Sequence, residues 1–205
     1  TREWAENEVG IDFTQPGFMD KGAFPWERGK TRMTVPPLVD TDVFRNFVQP
    51  ELTRAFDRGT VNVCLADEFK LGEEYDFSPE TLAAFRRHLE TVYGTVGKLN
   101  AAWDTTLTAF TEATPALLPE VQKQPERPAR WIDFRLFMDG LVDNRYRIAN
   151  EEAAKISPLL RTGPSGSYAP GHLIGVNFYD MSRFSRYIMT YPGVRAEWHR
   201  AFAPD

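Results

Sequence analysis

The apolar run Val61-Asn62-Val63-Cys64-Leu65-Ala66 ends in two carboxylates, Asp67 and Glu68, and sits between two helical patterns. A short β-branched apolar run of this kind reads as a buried strand. Upstream, Val43, Phe44, Phe47, Val48, Leu52 and Phe56 recur at helical spacing, with Asp40 or Thr41 as the N-cap and Gly59 as the C-cap. Pro50 is expected to bend that helix or divide it. Downstream, Ser78 caps a second helix with Pro79 at its first position; Leu82, Phe85, Leu89 and Val92 form its buried stripe, and Gly94 ends it. Strands alternating with helices predict parallel βαβ units whose strands end on one edge. A carboxylate at such an end is more often a means of carrying the chain into solvent, and is also a candidate for chemistry.

The remaining chain continues the alternation. Thr95 caps a short helix reaching Trp103. Residues 104–129 hold four prolines, too many for one regular element, and read as a loop. Residues 131–156 form the longest helix, with Phe134, Phe137, Met138, Leu141, Val142, Ile148 and Ala149 on its apolar face. A short strand is expected at 159–163, a glycine-rich loop after it, a helix at 179–186 and a strand at 187–191. Residues 1–37 mix glycine, proline and aromatics and read as a long irregular loop. The chain opens at Thr1 without methionine and closes at Asp205 without an obvious terminal element, so both ends are expected to be cut from a longer polypeptide.

Composition excludes several classes. The net charge of −5 argues against a nucleic-acid binder, which carries a basic stripe. Cys64 is the only cysteine, so an intrachain disulfide and a cysteine-rich zinc site are both ruled out. His88, His172 and His199 lie far apart and without metal-ligand spacing, so no metal site is expected. No apolar stretch is long enough to span a bilayer as a helix, and no membrane partner is expected. The compartment stays open between cytoplasmic and secreted or periplasmic.

Several phrases together resemble glycoside hydrolase family 42, the β-galactosidase group. They are Ala66-Asp67-Glu68, Phe85-Arg86-Arg87-His88-Leu89, Tyr93-Gly94-Thr95, Leu99-Asn100-Ala101-Ala102-Trp103 and Trp131-Ile132-Asp133-Phe134-Arg135-Leu136-Phe137-Met138, followed by Tyr179-Asp180-Met181-Ser182 and Tyr191-Pro192-Gly193. The resemblance covers roughly residues 36–193. It implies an α/β fold, a (β/α)8 TIM barrel present only in part, from about the third helix through the sixth strand. The layout is then an irregular region at 1–37, a barrel segment at 38–193 and a truncated tail at 194–205. It also implies retaining hydrolysis of a β-galactoside-like or related β-glycoside, with Glu68 in the general acid/base position and the nucleophilic glutamate outside this chain. The implied partner is a carbohydrate substrate. No cofactor is implied, and the full-length protein has room to assemble as a homo-oligomer.

The sequence departs from the family pattern at two points. Asp67 stands where the pattern has Asn, so an acceptor replaces a donor at a position expected to meet a sugar hydroxyl. The zinc-binding cysteines of many members are absent from Phe69 to Asp76, so no structural zinc is expected. Candidate substrate-binding residues are Asp67, Tyr191 at the end of the last strand, Trp26 in the early loop as a stacking platform, and His172 in the glycine-rich loop. Glu73, Glu74 and Asp76 read mainly as a solvated acidic loop. Trp103 and Trp131 read as core, and Arg135 as paired with an internal carboxylate. Asn177 and Tyr179 stay open between a pocket and a surface role. The rival function is a carbohydrate-binding or scaffolding barrel without catalysis, motivated by Asp67.

Overall fold

A computed structural model of the 205-residue chain describes residues 38–67, 76–166 and 175–203. Helix α1 (Thr41–Asp57) opens where the Asp40 carboxylate accepts the Val43 N–H at 3.0 Å. Pro50 lies inside this helix without dividing it. A proline in a helix interior costs about 3 kcal/mol. Phe44, Val48 and Leu52 are buried on the face that packs against α5 (Ala129–Ile156), and each such side chain contributes about 1.5–3 kcal/mol, so packing outweighs the missing hydrogen bond. Gly59, at φ +87°, turns the chain out of the helix toward β1 (Asn62–Asp67).

Strand β1 pairs in parallel with β2 (Arg161–Ser165), in a register running from Asn62 opposite Arg161 to Asp67 opposite Ser165. The register slips between Cys64 and Ala66. The second strand starts two residues later than the sequence suggests. The apolar pair Leu159-Leu160 is split by a turn: Leu160 N–H donates to Ser157 O at 3.2 Å, Leu160 is buried and Leu159 is 63% exposed.

The segment expected as a third strand runs beside β2 without becoming a regular strand. Arg186 N–H donates to Thr162 O at 3.1 Å and Met189 N–H to Pro164 O at 3.0 Å, which makes the direction parallel. Pro164 has no N–H to return to this neighbour, so the ladder on that side is incomplete. Gly163 lets the segment close in: a Cβ there would stand 1.5 Å from the Tyr187 carbonyl oxygen. The three extended segments therefore lie side by side in chain order.

The other helices are α2 (Pro79–Tyr93), α3 (Val96–Trp103), α4 (Leu118–Lys123), α6 (Phe178–Phe184) and α7 (Val194–Phe202). Two of them revise the sequence reading. The stretch at 104–129 holds α4 and a 3-10 turn at Phe110–Glu112, because Pro119 falls in the first turn of α4, where a missing N–H goes unfelt. Residues 194–205, read as a truncated tail, contain α7, which packs on α6.

Helix α5 packs on β2 and on its helical neighbours α1, α2, α3 and α6. Phe85 of α2 is fully buried and meets Phe134 edge-on at 4.9 Å and Phe137 at 5.4 Å. The phrase from Tyr93 to Trp103 is tied to α5 by one carboxylate: Asp133 accepts from the Tyr93 hydroxyl at 2.7 Å and from Trp103 Nε1 at 2.6 Å. Trp103 is thus core, and Trp131 is half-buried against it, as the sequence suggests.

Candidate active site

Because β1 and β2 are parallel, both finish on the same edge, with Asp67 and Ser165 as opposite partners. The segment alongside β2 carries Tyr191 toward that edge, two residues past the Met189 hydrogen bond, and Tyr191 is 47% exposed. The structure thus brings together the backbones of Asp67 and Ser165. Glu68, Trp26 and His172 lie outside the described residues.

Ser165 escapes the sequence reading because it sits in a glycine-rich stretch with no pattern of its own. It is almost fully buried, yet ends a strand on the edge where ligands of parallel α/β sheets bind.

Asp76 corrects the reading of a solvated acidic loop. Its side chain is fully buried. One carboxylate oxygen accepts the Leu38 N–H at 2.9 Å and the Thr81 hydroxyl at 2.5 Å; the other accepts the Ser78 N–H at 2.9 Å. Asp76 thereby joins the start of the described chain to the first turn of α2. The only local sign is an aspartate two residues before an N-cap serine, the spacing of an Asx turn. The nearby Arg145 guanidinium is buried, which lowers its pKa to about 10, and the charges of Asp76 and Asp40 oppose that loss.

Helix α5 places further titratable groups behind the strands. Burial pushes the Asp143 carboxyl up to about 8, although the Asn177 N–H donates to it at 2.9 Å and favours the charged form. Its other oxygen is buried with no hydrogen-bond partner. Burial also raises Asp139 to about 6 against the pull of Arg135. Arg135 Nε lies 3.2 Å from Asp139 Oδ1, so the expected internal pairing exists, but neither atom is in a directed hydrogen bond. The Tyr146 phenol is fully buried near Cys64 and Asp143, and burial raises its pKa. At neutral pH the Tyr146 phenol is uncharged and Asp143 is largely protonated. A low-dielectric wall of this kind strengthens electrostatic interactions at its margin.

Asn177 has a structural role: its side chain caps α6, accepting the Tyr179 N–H at 3.0 Å. Tyr179 is half exposed and meets Phe202 of α7 edge-on at 6.2 Å. Among the described residues, no three His, Cys, Asp or Glu side chains gather as a metal site, and no helix is long and apolar enough to cross a membrane.

The β-galactosidase family model, glycoside hydrolase family 42, matches residues 56–185. No curated protein matches the chain. Among solved structures, the β-galactosidase from the psychrophilic Marinomonas ef1 is 16% identical, with 81% of this chain and 26% of that one covered at a TM-score of 0.60. The β-galactosidase from Bacillus circulans sp. alkalophilus is 16% identical over 78% of this chain and 25% of that one, at a TM-score of 0.57. The exo-carrageenase from Bacteroides ovatus is 17% identical over 72% and 22%, at 0.55. The chain spans about a quarter of the length of these structures. At such identities the likeness speaks for the fold, that of TIM-barrel glycoside hydrolases.

Proposed function

The chain belongs to glycoside hydrolase family 42, and from that premise we propose that the whole protein is a retaining glycosidase acting on a β-galactoside or a related β-glycoside, with Glu68 as its general acid/base. The observation that carries the reading is the strand register. Asp67 closes β1 opposite Ser165 on the shared C-terminal edge, and Glu68 is the next residue in the chain. Catalytic groups of (β/α)8 enzymes come from the ends of barrel strands on that edge. The three parallel segments in chain order fit strands four to six of a barrel, which leaves the nucleophilic glutamate to a later strand outside this chain.

Retention requires two carboxyl groups about 5–5.5 Å apart. In the first step the nucleophile forms a bond to the anomeric carbon while the protonated Glu68 gives its proton to the departing glycosidic oxygen, so the aglycone leaves neutral. In the second, ionised Glu68 takes a proton from water, the water oxygen bonds to the anomeric carbon, and the bond to the nucleophile breaks. A general acid must hold its proton near neutral pH, which an apolar setting or a neighbouring negative charge supplies. The neutral Tyr146 and Asp143 behind the strands and the adjacent Asp67 favour that state. Asp67 accepts from a sugar hydroxyl, Tyr191 and His172 line the pocket, and Trp26 stacks on a sugar face. This 205-residue segment alone is inactive, because one of the two carboxyls is missing.

The test is hydrolysis of a panel of aryl β-glycosides by the intact protein, with the first-formed sugar followed by proton NMR. Release of a β-anomer supports retention, and release of the α-anomer refutes it. Asp67 in place of the family's Asn favours one second reading, a carbohydrate-binding barrel without catalysis. It predicts saturable binding of galactosides with no turnover of any panel member.

A further inference from the structure

The other end of the sheet carries a second concave surface. The start of β2, the C-terminal ends of α6 and α7 and the segment after α6 line a shallow, open cleft of about 500 Å3. Four arginines line it, Arg161, Arg183, Arg186 and Arg200, and among the described residues no carboxylate does. In a chain of net charge −5, such a concentration of cations needs a cause.

Local structure accounts for two of the four. Arg183 lies over the Tyr179 ring at 5.1 Å and donates to its hydroxyl at 3.2 Å; Arg200 pairs with Glu197 on its own helix. Both stand in the last turn of a helix, where a cation meets the negative helix end. Arg161 and Arg186 have no such explanation. Their backbones are fixed, since Arg161 N–H donates to Val61 O at 2.8 Å and Arg186 N–H to Thr162 O at 3.1 Å. Their side chains are exposed and form no ion pair among the described residues.

Two hydroxyls share the cleft. Ser182 is buried, 3.1 Å from His199 Nδ1, and burial lowers the His199 pKa, so the imidazole adds no charge of its own at neutral pH. The Ser185 hydroxyl oxygen is buried with no hydrogen-bond partner. A buried hydroxyl without a partner carries a desolvation cost, and the exposed Arg161 and Arg186 guanidinium groups are open to an anion. One ligand engages both.

We propose that this cleft binds a tetrahedral oxyanion, sulfate or phosphate, free or as a monoester on a sugar. The planar forks of Arg161 and Arg186 each offer two parallel N–H donors to such a group, and the Ser185 hydroxyl donates to a third oxygen. The volume falls within the range of small-molecule sites and leaves room for a sugar-sized carrier. Arg161 opens β2 and Ser165 closes it, so the cleft and the active edge lie at opposite ends of the strand, on the order of 13 Å apart along it. The oxyanion site is thus separate from the proposed hydrolytic one and does not depend on it.

The experiment is calorimetric titration of the intact protein with inorganic phosphate and with inorganic sulfate, at an ionic strength held constant with chloride. Saturable binding that weakens at least tenfold in Arg161→Gln/Arg186→Gln, while the circular dichroism spectrum and unliganded melting temperature hold, supports the site. Equal binding by wild type and double variant, or no saturable binding in the millimolar range, overturns it. If the double variant does not fold, Arg186→Gln alone and Ser185→Ala serve, since each changes one partially exposed side chain, and both must weaken binding. Phosphate and sulfate monoesters of galactose in competition then identify the source: an ester that outcompetes the inorganic ion assigns the site to a substituted sugar, and no advantage assigns it to the free anion.

Discussion

Replacing Asp76 tests how the chain is held beside the candidate active site. Asp76→Ala removes the acceptor of three hydrogen bonds, from Leu38 N–H, Ser78 N–H and the Thr81 hydroxyl. Leu38, Ser78 and Thr81 are themselves buried, so water does not take over. A buried donor left without an acceptor costs about 1–3 kcal/mol, which sets a lower bound of about 3 kcal/mol for the three together. Arg145 loses a compensating charge as well. Asp76→Asn keeps one acceptor oxygen, best placed toward Leu38 and Thr81, and turns its amide toward the Ser78 N–H. Its cost is expected near 2 kcal/mol, about one unsatisfied donor. The assay is urea unfolding of the intact protein together with hydrogen exchange of the peptide spanning residues 76–93. Exchange there should accelerate more than in α5, and more in the alanine variant than in the asparagine variant. An Asp76→Ala variant destabilised by less than about 3 kcal/mol would refute the role of Asp76 as an anchor.

The other predictions concern the sheet and α5. Gly163→Ala places a Cβ against the Tyr187 carbonyl and should cost several kcal/mol or detach residues 186–189 from β2, seen as loss of amide protection at Arg186 and Met189. Because the folded Asp143 pKa is raised to about 8, the folded state keeps a proton that the unfolded chain releases from about pH 4 upward. Its contribution to stability therefore falls as pH rises through that window. Relative to Asp143→Asn, wild type should lose about 3 kcal/mol between pH 5 and pH 8, measured as the difference in urea midpoints. Asp133→Ala leaves the buried Trp103 indole N–H without its acceptor, for a loss of about 1–3 kcal/mol. It should also draw the Tyr93 pKa down from about 12, readable by ultraviolet titration, since after burial the Asp133 hydrogen bond is the largest cause of that shift.

Features decided within one turn of chain were legible in the sequence. Asp40, Ser78 and Thr95 cap the helices assigned to them, and Gly59 and Gly94 adopt the positive φ angles their positions suggest. Features decided across the fold were not. The start of β2 depends on which of two adjacent leucines meets the core. The irregular third segment depends on Pro164 facing it across the sheet. Helix α7 lacks a side-chain cap at Gly193 and gains its packing from α6. For the site, the apolar run and the parallel topology suffice to place Asp67 at the end of β1. Ser165 and Asp76 are found only through partners distant in sequence, Asp67 in one case and Leu38 in the other.

Glu68 is proposed to donate the proton to the leaving group. This role is tested most directly by comparing the intact protein with Glu68→Gln on aryl β-galactosides of differing leaving-group acidity, with and without azide. The variant should lose hydrolysis of poor leaving groups by about two to four orders of magnitude, the range for general acid–base catalysis. It should retain cleavage of the most acidic phenols, and azide should restore turnover while yielding the β-glycosyl azide. A variant with wild-type rates across the series, or one that azide leaves unchanged on the most acidic phenols, contradicts it.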